Sequence, residues 1–212
     1  MGTTRLKLYC GALRELGERK LASLEEDRLP RHLLDDVYTD VLQQALEEGQ
    51  WRFAARSVLI TPDTDVEPGF GHQNAFPFPD DHVRTMKLGH DEFFYGSLMH
   101  YTVEGRYWYT DVDPLYVQYV SNDPAYGMDL TCWPAKFTIY VETLLATHIM
   151  AGLTSAKTDR ATMEKLLQKR LRSAEAIDAM EDAPAFLPQG TWVSSRGGYS
   201  RRDRGSRSRL YG

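Results

Sequence analysis

Asp80 and Asp81 stand side by side after Pro79, with Glu92 downstream and His82 and His90 between them. Two carboxyl groups held in different environments can divide into an acid and a base, the minimum equipment of a hydrolase. The same residues have a plainer use, because Pro-Asp-Asp also begins turns and caps helices. His72, His82, His90 and His100 fall ten, eight and ten residues apart, which suits neither one helix face nor a zinc-ligand pattern. Asp63-x-Asp65-x-Glu67 has the opening of a calcium loop, but the twelfth position is Asn74 where a bidentate Glu is required. Cys10 and Cys132 form no C-x-x-C pair and read as small buried hydrophobes. Neither a nucleotide-binding loop nor a G-x-S-x-G nucleophile turn is present. On this reading the chain is not an enzyme and carries no cofactor or metal.

Contact chemistry is more conspicuous than reaction chemistry. Residues 194–212 hold six Arg and one Asp, a net +5 in a chain whose total is −5, so the remainder carries −10. Such a segment is too poor in apolar residues to order itself. Its arginines (Arg196, Arg201, Arg202, Arg204, Arg207, Arg209) suit acidic grooves, and Tyr199, Leu210 and Tyr211 supply anchors. An acidic row, Asp36, Asp40 and Glu47, lines one side of a helical stretch whose other side is apolar. Between residues 83 and 120 the chain is rich in aromatics, notably Tyr101, Tyr107, Trp108 and Tyr109, with few Lys or Arg among them. Base stacking without phosphate contacts makes a poor nucleic-acid platform, so a sheet core with tyrosine-rich protein contacts is the better reading.

Four helices and a strand region must position these groups. Leu6, Tyr9, Cys10, Leu13 and Leu16 predict a first helix ended by Gly17. Pro30 opens a second, whose apolar stripe runs through Leu34, Val37, Tyr38, Val41, Leu42, Ala45 and Leu46 to Gly49. Leu21 and Leu24 pin the connector between them. Residues 61–79, rich in Pro, Gly and Asp, read as loop. Residues 98–103, 107–110 and 115–120 read as strands, with a hairpin turn at Glu104-Gly105-Arg106. A third helix starts near Pro134 with Phe137, Tyr140, Val141, Leu144, Leu145 and His148 facing the core. A fourth, from about Asp159 to Met180, packs antiparallel to it. The fold class is therefore α+β. A helical bundle (5–55 and 134–182) accepts an inserted antiparallel β region (56–133), and a flexible arm (183–212) follows. The N-terminus has no apolar signal region, and Leu6 breaks the myristoylation pattern, so a protein matured in a cytoplasm without a membrane anchor is expected.

The order of motifs resembles the head-to-tail adaptor proteins of tailed bacteriophages, the tail tubular protein A and head completion group. The likeness is carried by Leu8-Tyr9-Cys10-Gly11-Ala12-Leu13, Leu16-Gly17-Glu18 and Leu21-x-Ser23-Leu24-x-Glu26-Asp27. It continues through Leu34, Tyr38, Leu42, Leu46 and Trp51-x-Phe53-Ala54-x-Arg56 to Phe78-Pro79-Asp80-Asp81-His82-Val83-Arg84 and Trp133-Pro134-Ala135-Lys136-Phe137. It spans residues 5–182 and leaves the arginine arm outside.

The resemblance implies a structural virion protein at the head–tail junction. Its homo-oligomeric ring, commonly a dodecamer, docks under the portal protein, retains the packaged genome and seats a downstream tail protein, a nozzle or tail-tube component. DNA passes through such a ring without sequence-specific binding. On that view the arm binds the portal or a neighbouring subunit, Asp36, Asp40 and Glu47 line the channel, and Tyr101, Tyr107, Trp108 and Tyr109 meet the tail protein or an adjacent subunit. The competing readings are a nucleic-acid binder working through its arginine arm, and a hydrolase built on the Asp80/Asp81 carboxylates.

Overall fold

The computed structural model describes residues 2–69, 71–94, 98, 100–153 and 160–181, and all of these lie in a unit that ends at Glu181. The fold is α+β, as the periodicity predicts. Its helices are α1 (Arg5–Glu15), α2 (Leu29–Glu48), α3 (Ala135–Ile149) and α4 (Arg160–Met180). Its strands are β1 (Ala55–Ile60), β2 (Asn74–Pro77), β3 (His82–Gly89), β4 (Thr102–Glu104), β5 (Tyr107–Thr110) and β6 (Leu115–Ser121).

Helix α3 is the axis of the bundle. It packs against α1, α2 and α4, while α1 and α2 meet over a smaller contact built on Tyr9 and Tyr38, with ring centroids 5.7 Å apart. Its composition explains this position, since Phe137, Tyr140, Val141, Leu144, Leu145, Ala146 and Ile149 are all buried. A helix apolar on most of its circumference must be covered from several sides. Leu8, Tyr9, Ala12 and Leu13 of α1, Leu34, Val41, Leu42, Ala45 and Leu46 of α2, and Met163 and Ala174 of α4 complete one core with it. His148 departs from expectation. It is exposed, with one ring nitrogen 3.1 Å from Gln44 Oε1, although it continues the stripe of Phe137, Val141 and Leu144; it stands in the last turn of α3. In the connector, Leu21 is buried as expected, whereas Leu24 is exposed.

Charged groups tie the helices together at the edges of this core. Asp35 of α2 accepts from Arg5 at 2.7 Å, from the Tyr9 hydroxyl at 2.8 Å and from Arg31 at 2.6 Å. Arg14 reaches Glu142 at 2.9 Å, and Arg170 reaches Glu15 at 3.1 Å, so α1 is stapled to both α3 and α4. Burial pushes the Glu142 carboxyl upward, more than Arg14 draws it down.

The ends of α1 and α2 are closed differently. Gly17 follows the first in the left-handed region, at φ 71°, as its position after the apolar stripe predicts. Gly49 is extended at φ −134° and ψ 172°, so it offers no left-handed cap. The orphan carbonyls of α2 are satisfied from outside instead. Trp51 Nε1 donates to the Ala45 carbonyl at 2.8 Å, and Arg84 donates to the carbonyls of Glu47 and Glu48 at 3.0 and 3.2 Å. Glycine is needed at 49 because a Cβ there would stand 2.5 Å from the Trp51 ring. Gly49→Ala should therefore destabilise the protein by about 1–3 kcal/mol in urea denaturation. Most of that cost should vanish in a Trp51→Ala background, where the ring is gone.

The strands form two three-stranded antiparallel sheets, ordered β1-β6-β3 and β2-β5-β4. On β6, Leu115, Val117 and Tyr119 join Phe76, Leu88 and Trp108 in a second core, whereas Val120 belongs to the helical one. One sheet therefore faces both ways, joining the bundle to the outer sheet. Three strands depart from the expected pattern, and the first is β4, which covers Thr102–Glu104 where residues 98–103 read as strand. β2 lies inside the segment read as loop, and pairs Asn74 to Pro77 with Thr110 to Tyr107. β3 carries irregularities between His82 and Arg84 and between Thr85 and Lys87, which break the two-residue alternation a strand normally shows. The β4–β5 hairpin turns at Gly105 with φ 58°, as Glu104-Gly105-Arg106 predicts.

Candidate functional site

The carboxylates that invited a hydrolytic reading have separate environments. Asp80 is fully exposed, with Arg106 3.7 Å away. Asp81 sits at the start of β3, where Arg56 of β1 and two residues of β6 converge on it. Arg56 donates at 2.8 Å, the Tyr119 hydroxyl at 3.0 Å, and Ser121 Oγ at 2.5 Å. Burial alone would push the Asp81 carboxyl up, but the bonds from Ser121, Arg56 and Tyr119 outweigh it and hold the group below the usual carboxylate range. Tyr119 responds in the opposite sense, its hydroxyl pushed well up by burial and by its bond to Asp81.

His82, the next residue, is half-buried against Phe78, Trp108 and Tyr119, with ring centroids 4.3, 5.1 and 5.4 Å away. Its Nε2 lies 3.0 Å from Thr85 Oγ1, and burial lowers its affinity for a proton. His90 is near Asp91, at 3.5 Å, and Glu92 is exposed. The side-chain partners of Asp81 among the described residues are thus three donors from neighbouring strands. This is a hub that joins strands β1, β3 and β6.

The other chemical candidates resolve in similar ways. Asp63 Oδ1 accepts from the Asp65 amide at 3.0 Å, a side-chain-closed turn, and Asp63 Oδ2 accepts from the Tyr107 hydroxyl at 3.2 Å. Cys10 is half-buried and its thiol lies 3.4 Å from the Leu21 carbonyl. Cys132 is exposed, contrary to its expected burial, because it lies in a turn where its thiol donates to Asp129 at 3.2 Å. Asp129 pushes that thiol up, away from the reactive thiolate. Among the described residues, no group of three His, Cys, Asp or Glu could hold a metal ion, and no helix is long and apolar enough to cross a membrane.

The candidate contact residues separate by exposure. Asp36, Asp40 and Glu47 lie exposed along α2, with Glu47 accepting from Gln43 at 2.9 Å. Tyr101 is exposed beside β4, whose three residues are exposed as well. Tyr107 and Tyr109 are half-exposed on one face of β5, their ring centroids 6.2 Å apart. Trp108 does not belong with them. It points to the opposite face, is 0% exposed, and its Nε1 donates to Thr85 Oγ1 at 3.1 Å. Strand alternation puts it in the core between the sheets. Arg196, Tyr199, Arg201, Arg202, Arg204, Arg207, Arg209, Leu210 and Tyr211 lie outside the described residues.

Sequence reasoning missed a surface on α4. Lys165, Lys169 and Arg172 are exposed at four- and three-residue spacing, a stripe as regular as the acidic one on α2. The signal was present in the spacing of the cations but was overshadowed by the arginine arm. No protein-family model matches this chain, and no curated protein matches it.

Proposed function

We propose that this chain is a head-to-tail adaptor of a tailed bacteriophage. On this reading it forms a ring, a dodecamer, beneath the portal protein, closes the DNA-filled head and seats the downstream tail protein. DNA passes through the ring without being read. What carries the proposal is that the residues behind the resemblance are the ones that build the scaffold. Leu8, Tyr9, Ala12, Leu13, Leu34, Leu42, Leu46, Trp51, Ala54, Trp133 and Phe137 meet in one core although Ala54 and Trp133 are about eighty residues apart in the chain. Arg56, from the same motif as Trp51 and Ala54, and Asp81, from a further one, form the ion pair of the strand hub. The engagement of Asp81 by three donors also favours a structural over a hydrolytic role.

Electron microscopy of the protein mixed with the portal of its own phage tests the proposal. A ring of added density on one face of the portal is the expected result, and bare portals at saturating protein would overturn it. The arginine arm is assigned to portal attachment on sequence grounds. Deleting residues 194–212 should weaken that attachment roughly tenfold or more, since the loss is repeated at every position of the ring. Equal attachment by the truncated chain would remove the arm from the mechanism.

A further inference from the structure

The described chain leaves two opposite charges unanswered on two different flanks. On α2, Asp36 and Asp40 are exposed, and the ion pairs of that helix run through Asp35 and His32 instead. On α4, Lys165, Lys169 and Arg172 are exposed, while the ion pairs are Arg160–Glu164 and Arg170–Glu15. Among the described residues, then, neither stripe finds its counter-charge within its own chain. Helix α3 lies between the two helices and takes the apolar side of each, so both charged sides are turned outward.

The apolar features match the charges. Beside the stripe, between α3 and α4, runs an open groove of about 230 Å³ lined by Ile139 and Leu166, and Lys169 is the stripe cation at its edge. On α2, Leu29 is 59% exposed and lies on the same stripe as Asp36, Asp40 and Glu47. Spacing agrees too. Asp36–Asp40 and Lys165–Lys169 are both four residues apart, about 6 Å along a helix axis. A partner helix bearing one exposed leucine and a row of carboxylates is what the basic side of α4 and the groove beside it would fit, and α2 of another copy is such a helix.

We infer that the acidic stripe of α2 in one copy docks on the basic stripe of α4, beside the α3–α4 groove, of the next. The contact is heterologous, since each copy gives one surface and receives with another, and repetition of such a contact closes a ring. This inference rests on the adaptor reading but sharpens it. It moves Asp36, Asp40 and Glu47 from the channel wall to the seam between subunits. A wall needs only exposure, whereas a seam needs a complement, and α4 provides one.

Charge reversal tests the pairing without touching the core. One variant carries Lys165→Glu, Lys169→Glu and Arg172→Glu; the other carries Asp36→Lys, Asp40→Lys and Glu47→Lys. Self-association of the wild-type chain, followed by sedimentation velocity and native mass spectrometry at low salt, should weaken as salt rises. Each variant alone should associate roughly tenfold or more weakly, because like charges then meet across the contact. Mixed in equal amounts, the two variants should recover association, with both proteins in every assembly, since every acidic surface again meets a basic one. Two results overturn the pairing and leave the adaptor reading standing: variants that assemble as well as the wild type, or a mixture that fails to recover. A wild-type chain that stays monomeric at every concentration also overturns it, and portal binding then decides the adaptor reading separately. Duplex DNA binding that is lost in the α4 variant while assembly persists would assign the basic stripe to nucleic acid instead.

Discussion

Asp81→Asn should cost about 2–3 kcal/mol of stability at neutral pH, the scale of hydrogen bonds to a charged group, and progressively less in acid. Three donors converge on this carboxylate, from Arg56, Tyr119 and Ser121. An amide of the same shape replaces one acceptor oxygen with a fourth donor, and leaves a guanidinium without its counter-charge. The pH dependence follows from the direction of the shift. The folded protein holds the Asp81 carboxyl below its ordinary value, so the stabilisation is complete above the unfolded-chain pKa of about 3.9. It is lost as pH falls from there through the lower folded value. Urea denaturation of both proteins at neutral pH and near pH 3 checks this. The gap between wild type and variant should narrow in acid, and a constant gap would show that Asp81 acts through shape alone.

Trp51→Ala is expected to be the more damaging change, about 3–5 kcal/mol, because it empties a large volume and uncaps a helix together. Trp51 is 1% exposed, and its ring centroid lies 4.7 Å from that of Phe137 and 6.4 Å from that of Tyr140. Its Nε1 also satisfies the Ala45 carbonyl at the end of α2. Trp51→Phe separates the two effects. It keeps much of the volume and loses only the bond, so it should cost about 1–2 kcal/mol. If the two substitutions cost the same in urea denaturation, the cap and not the packing is the dominant contribution.

The helices were readable from the sequence because each buries one face against a common core. The run from Leu34 to Leu46 marks α2 directly, and Gly17 marks the end of α1. The β region was less open to this reading. β2 is four residues inside a Pro- and Gly-rich segment, and it exists because β5 offers it an edge. The bulges of β3 erase its alternation. Trp108 could have been separated from Tyr107 and Tyr109 by strand parity, but grouping by aromatic character hid the difference. In the sequence Asp81 stands out by its carboxylate neighbour, whereas its partners lie 25, 38 and 40 residues away in the chain. Only the pairing of β1, β3 and β6 brings them together.

The central position of α3 also shapes how the protein is made. Most of the apolar faces of α1 and α2 are covered by a helix that ends at Ile149, about a hundred residues after α2 is complete. At ordinary synthesis rates that gap lasts about 5–20 s. Through that interval the nascent chain carries two amphipathic helices whose main apolar partner has not yet been made, and its long-range contacts form late. Translation speed between Glu48 and Ala135 thus sets how long these helices stay open to aggregation or to chaperones. Folding of the bundle is in effect gated by the arrival of its third helix.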